Sequence, residues 1–214
     1  MKKVDISFLF YSKMNIARPI KVSLYYKGSI NMNVKKGIRL IALGFLFTLV
    51  NVNLTSGNTK INITPDFVGW IMIFFGCGLL GDYVRRKPWY KWGAFLLAIL
   101  SAALWVTELI DFDLKFDIKY LEIGTTVATT LYILLLLGLL QKIGKDYGSA
   151  HTGNLGVLKI VYLVVYILFQ AVSLFIDTLP LEVLSMILTI AGAAALVTAI
   201  ITCIILFKMS AEIE

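Results

Sequence analysis

Six long apolar runs separated by short connections constrain this chain more than any other feature. They cover residues 37–54, 66–83, 92–110, 120–141, 157–177 and 182–207. A helix needs about 20 residues to cross the hydrocarbon core of a bilayer, with a usable range of about 17–25. Backbone amides in lipid must bond within their own segment, so runs this apolar are expected to be helices. The chain is 59% hydrophobic with a mean hydropathy of +0.85, against roughly 45–50% apolar residues in soluble domains. A water-soluble chain of 214 residues could not hide that excess in one core. The expected fold class is an all-α membrane protein, a bundle of six transmembrane helices spanning residues 32–214.

Lys and Arg near the ends of such segments set their orientation. One set of ends carries Lys35, Lys36, Arg39, Arg85, Arg86, Lys87, Lys91, Lys142, Lys145, Lys159 and Lys208; the other carries only Lys60, Lys115 and Lys119. The first set is expected in the cytoplasm, which puts both termini inside for an even number of helices. The formal charge of +7 does not indicate a nucleic-acid partner, because the basic residues lie between apolar runs rather than along one polar face. The expected partners are the lipid bilayer and a second copy of the chain or a membrane-complex subunit. No cofactor is expected. A single histidine, His151, excludes a His-cluster metal site within one chain, and Cys77 and Cys203 both sit inside apolar runs, away from any disulfide framework.

Residues 1–31 differ from the rest, being moderately polar and without an apolar run long enough to span. Three readings stand open. The arm is disordered in the cytoplasm, or it lies as an interfacial helix, although Phe8, Phe10, Leu24 and Tyr25 form no sustained stripe. In the third, translation starts at Met32, because Lys27-Gly28-Ser29 can be encoded by a purine-rich run resembling a bacterial ribosome-binding site.

Apolar residues alternate in Val52-Asn53-Leu54-Thr55 and in Lys60-Ile61-Asn62-Ile63-Thr64, with Ser56-Gly57-Asn58 as a turn between them. The stretch from Phe112 to Tyr120 alternates more cleanly still. These predict a small external β-hairpin or extended segments over the bundle, with irregular interfacial loops as the alternative.

Gly76-Cys77-Gly78-Leu79-Leu80-Gly81 fits G-x-G-x-x-G, but it closes a membrane helix instead of opening one after a strand. Close helix packing is the expected role. Ala191, Ala195 and Ala199 form a similar stripe of small residues. Thr125, Thr126, Thr129 and Thr130 make a polar face on the fourth run, which Gln170 and Ser173 of the fifth are placed to meet. Helix packing is the default reading for that face and a polar pathway the sharper one.

The candidate site is acidic. Glu108 and Asp111, three residues apart, share a helical face near the outer end, and Asp66, Glu122 and Asp177 fall at the same level. Together they would form an outer vestibule for a cation or a basic ligand; plain solvation at the helix ends is the alternative. No catalytic set is visible, since a Ser-His-Asp arrangement would have to use His151, in a glycine-rich connection.

The most distinctive stretch is Ile61-Asn62-Ile63-Thr64-Pro65-Asp66-Phe67-Val68-Gly69-Trp70-Ile71. Pro65 and Asp66 read as a helix start, with the acid complementing the N-terminal dipole. The segment resembles the IN-x-x-PDF-(I/V)-G-(W/Y)-I signature of small multi-pass membrane proteins from Firmicute-type bacteria. Lys36-Gly37-Ile38-Arg39-Leu40 and Gly44-Phe45-Leu46-Phe47 resemble the same group, whose members tend to begin near Met32. The likeness covers the first two runs and implies a bacterial plasma membrane rather than an activity. Two function classes follow: a non-enzymatic scaffold, sensor or complex subunit, and a small-molecule or ion carrier component. The second rests on an architectural similarity to the substrate-binding subunits of energy-coupling-factor vitamin transporters. A filled bundle would favour the first, and an outward cavity lined by Glu108, Thr125 and Trp105 the second.

Overall fold

The computed structural model describes residues 17–49, 53–56, 59–62, 66–110, 118–174 and 180–213. In chain order these form α1 (Ala17–Leu49), β1 (Asn53–Ser56), β2 (Thr59–Asn62), α2 (Asp66–Leu79), α3 (Asp82–Arg85), α4 (Trp89–Ile110), α5 (Ile118–Asp146), α6 (Thr152–Leu174) and α7 (Leu181–Glu212). The described chain is overwhelmingly helical. Three stretches are long and apolar enough to cross a membrane: Trp89–Thr107 of α4, Gly124–Asp146 of α5 and Gly192–Glu212 of α7.

Several boundaries depart from the hydropathy reading. Helix α1 begins at Ala17, so residues 17–31 are helical and continuous with the first apolar run rather than disordered. Pro19 sits in its first turn, where a missing N–H costs nothing. At its other end α1 stops at Leu49, because Asn53 and Leu54 belong to β1. That strand pairs antiparallel with β2, Asn53 opposite Asn62 and Ser56 opposite Thr59, as the alternation predicts. The second alternating stretch is corrected at its end: Ile118, Lys119 and Tyr120 are the first turn of α5, not extended chain. Period-two alternation over so few residues does not outweigh a long helical run that begins within it. Residues 111–117 lie outside the described segments.

Turn chemistry sets the remaining breaks. Helix α2 ends at Leu79, four residues short of the apolar run's end, and Gly81 takes φ 58°, a left-handed conformation that favours glycine. A single turn, α3, follows, and the Pro88 carbonyl accepts the first bonds of α4 from Lys91 and Trp92, both at 3.0 Å. Between α5 and α6, Gly148 takes φ 67°. The Ser149 N–H donates to the Gly144 carbonyl at 2.8 Å and the Gly148 N–H to the Lys145 carbonyl at 3.1 Å, the paired bonds of a Schellman motif.

The six long helices pack in chain order, α1 on α2, α2 on α4, α4 on α5, α5 on α6 and α6 on α7, and α7 returns to α1. The tightest seam joins α1 to α2. A Cβ on Gly37 would lie 2.8 Å from the Gly76 carbonyl, and one on Gly44 would lie 2.7 Å from the Gly69 carbonyl. Each helix carries the two glycines of this seam one heptad apart, so the antiparallel backbones touch twice. Inside, Ile38, Ile41 and Phe45 of α1, Ile73 of α2, Leu136, Leu137, Leu140 and Ile143 of α5, and Leu206 and Met209 of α7 are fully buried. Outside, large apolar side chains are exposed as well, including Leu96, Ile160, Met186 and Ile190, each at least 60% exposed. Water would drive such a surface together; a hydrocarbon solvent leaves it stable.

Candidate functional site

The described side chains gather their chemistry at the end of the fold that carries the cations. Long-range contacts define that end. On α1, Arg39 Nε donates to Ser210 Oγ of α7 at 3.2 Å, and Lys35 Nζ donates to the Ile213 carbonyl at 3.4 Å. The Tyr147 hydroxyl donates to Asn31 Oδ1 at 3.1 Å. Lys91 places its Nζ 4.7 Å from the centre of the Phe74 ring. The N-terminus of α1's apolar run, the α2–α4 connection, the α5–α6 turn and the C-terminus of α7 therefore meet at one level.

Two clusters sit there. The first is a latch. Ser149, buried in the α5–α6 turn, donates from its Oγ to Glu212 of α7 and accepts from the His151 N–H at 3.3 Å. His151 Nε2 lies 3.5 Å from the other Glu212 oxygen. Serine, histidine and an acid thus meet, but the order differs from a hydrolytic triad, in which histidine stands between serine and acid to take the hydroxyl proton. Here Glu212 stands between the other two. Ser149 is held by the carboxylate, and the group ties the end of α7 to the neighbouring turn.

The second cluster lines a cavity of about 420 Å3 between the α2–α4 connection and α5. Asp82, Tyr83, Arg86, Lys87 and Tyr90 form one wall; Gly138, Leu139, Lys142 and Asp146 form the other. Tyr83 hydrogen-bonds Asp146 across it, and burial, followed by the Asp146 charge, pushes the Tyr83 phenol up to about 12. The phenol is therefore a permanent donor in any physiological medium. Beneath this cavity the Tyr132 hydroxyl donates to the Tyr90 carbonyl at 2.5 Å and lies 3.8 Å from Cys77 Sγ, with the Trp70 ring edge-on to it at 5.6 Å. These contacts fix Tyr90, at the start of α4, against α5 and α2.

The described members of the acidic set predicted from sequence, Asp66, Glu108 and Glu122, lie toward the opposite end. Asp66 opens α2 and is half-buried, and beside it Phe67 meets Trp105 of α4 edge-on at 5.6 Å. Glu108 falls in the last turn of α4, Glu122 near the start of α5 and Gln170 in α6, but the structure describes only their backbone. Asp111 and Asp177 lie outside the described residues. Thr125 and Thr129 are half-buried on α5, and Thr130 donates to the Thr126 carbonyl at 2.9 Å, the local bond that makes threonine cheap in lipid. Among the small residues of α7, Ala199 is fully buried and Ala195 half-buried, whereas Gly192, Ala193 and Ala194 are exposed.

Sequence reading missed the latch and the cavity because it used the Lys and Arg residues of that end only to orient the chain. A signal was present: Asp82, Asp146 and Glu212 are acids placed among basic helix ends, and each of them enters one of the two clusters. No family model, curated protein or solved structure matches this chain.

Proposed function

We propose that the chain is an integral plasma-membrane protein whose six long helices all cross the bilayer, with both termini in the cytoplasm, and that it is a non-enzymatic scaffold, sensor or subunit of a membrane complex. The observation that carries this reading is a helix set apolar on both sides: filled inside by Phe45, Ile73, Leu137 and Leu206, and apolar outside at Leu96, Ile160 and Met186. Interior side chains packed in this way, among the described residues, suit a role of holding and transmitting. The orientation follows from the cations of the basic end. The Ile61–Ile71 signature supports a Firmicute-type bacterial source, and the resemblance to that group of multi-pass proteins belongs to the same proposal.

The second reading is a small-molecule or ion transport component. The cavity beside Lys142 is the observation on its side, although it opens at the basic end rather than toward Glu108. Thiol labelling separates the two. In a Cys77→Ser/Cys203→Ser background, Ile73→Cys and Leu137→Cys should resist a membrane-impermeant maleimide from either face, while Lys142→Cys reacts from the cytoplasmic face. Labelling of either interior position would establish a solute path and remove the scaffold reading. Reporter fusions that put the 85–91 connection outside the cell would invert the layout.

A further inference from the structure

The lining of the cavity at the basic end carries more cations than acids. Arg86 and Lys87 reach it from the segment between α3 and α4, and Lys142 reaches it from the last turns of α5. Among the described residues, none of the three makes an ion pair. Two acids, Asp82 and Asp146, share the lining, so the three cations exceed them by one formal charge.

A fourth cation stands beside them. Lys159 of α6 brings its Nζ to 3.5 Å from the place a Cβ on Gly138 would take, and Gly138 itself lines the cavity. The missing side chain at Gly138 therefore does two things: it leaves the α5 wall open, and it lets an ammonium from a third helix lie against that wall. Arg supplies a planar fork of donors, and the Lys ammoniums supply further donors around it, a set suited to the several oxygens of a phosphate.

The surroundings indicate where such a phosphate comes from. Trp89 stacks on Tyr90 with ring centres 3.7 Å apart, and Trp89 and Trp92 remain 41% and 55% exposed at the same level of α4. Exposed tryptophans of this kind settle at the headgroup layer of a bilayer. Basic pockets between helices at that depth on the cytoplasmic side hold anionic headgroups. The volume also lies within the range of roughly 300–1,000 Å3 usual for small-molecule sites.

We propose that this cavity binds a phosphate-bearing anion through Arg86, Lys87 and Lys142, with Lys159 at its rim, and that the phosphate is the headgroup of an anionic phospholipid of the inner leaflet. The lipid source rests on the membrane reading; the phosphate site does not.

The test is thermal unfolding of the full chain in a neutral maltoside detergent, titrated separately with short-chain phosphatidylglycerol, short-chain phosphatidylcholine and inorganic pyrophosphate. The expected result is a rise in the unfolding midpoint with phosphatidylglycerol and none with phosphatidylcholine. Arg86→Gln and Lys142→Gln should each weaken the apparent affinity by about tenfold, the loss of one charge-assisted contact. Lys36→Gln and Lys208→Gln, exposed cations of the same end outside the cavity, should leave it unchanged. Lys87→Gln, at an exposed position, reads the same loss should Lys142→Gln fail to fold. Pyrophosphate acting as strongly as phosphatidylglycerol would uphold the phosphate site and overturn the lipid source. An equal response from the wild type and Arg86→Gln, or no response to either anion, would overturn the site.

Discussion

The α1–α2 and α6–α7 hairpins are both built from apolar sequence rich in small residues, yet they associate differently. In the first, Gly37 and Gly44 face Gly76 and Gly69 in register, and backbone meets backbone at both places. In the second, α7 offers Ala191 to Ala195 in an unbroken run of small residues, but a Cβ on Gly192 would touch nothing within 4 Å, and Leu163, Ile167, Met186 and Ile190 are exposed. Among the described side chains of α7, the buried positions begin at Thr198 and Ala199 and continue through Thr202, Leu206, Met209 and Ser210 toward the basic end. Small residues on one helix do not make a seam. The partner must carry its own at the matching register, because lipid tails compete equally for any apolar face and only close packing distinguishes protein from lipid.

The largest test of this contrast exchanges one glycine in each hairpin. Gly76→Leu drives a side chain into the Gly37 carbonyl and Ile41 and should cost about 3 kcal/mol, or prevent folding, by overpacking a rigid contact. Gly192→Leu, with open space around it, should stay within about 0.5 kcal/mol of the wild type. Fluorescence-detected size exclusion after graded heating ranks the two, and equal losses would remove the distinction between the seams.

A smaller effect is expected where α4 and α5 meet. Tyr132→Phe removes the donor to the Tyr90 carbonyl and should cost about 1 kcal/mol, more if the carbonyl is left without a partner. The thermal midpoint in detergent measures it. Smaller again is the latch on α7. Glu212→Gln weakens the contact with His151, whose side chain is 25% exposed and the glutamate's 35%, and partly exposed pairs contribute about 0.2–1 kcal/mol. The expected readout is local: faster hydrogen exchange at the last turn of α7, with the exposed half of that helix unchanged.

The smallest effect is a pH dependence. The folded state holds the Tyr83 phenol protonated up to about 12, while an unfolded tyrosine ionises near 10.0. Above pH 10 the unfolded chain therefore binds fewer protons than the folded one, so this contribution is whole below pH 10 and declines as pH rises toward 12. The thermal midpoint of the wild type should fall more steeply across that window than that of Tyr83→Phe. Parallel slopes would show that folding does not raise the Tyr83 phenol.

Much of the fold was legible before any coordinates. Hydropathy located every long helix, and the alternation at Asn53–Thr55 and Lys60–Asn62 marked the one described ribbon. Misreadings fell at the ends: residues 17–31 joined α1, Leu79 closed α2 early, and Ile118 opened α5. Run ends depend on caps and on glycine conformation, which a hydropathy average smooths over. The candidate site was less legible. Acid in helix ends drew attention to Glu108 and Asp111, while the groups that converge in the described structure are Ser149 with Glu212 and Lys142 with Arg86.

The sequence alone determined that the chain is helical, that its runs suit hydrocarbon, and that its cations collect at one set of helix ends. These properties are sums over consecutive residues, and a sum over neighbours survives ignorance of packing. Only the tertiary structure decided that Gly37 meets Gly76, that Arg39 reaches Ser210 across 171 residues, and that Gly138 opens a wall beside Lys159. Each of those depends on how far one helix is rotated and slid against another. Rotation and slide are set by side-chain interlock across the interface, a quantity that no single segment contains.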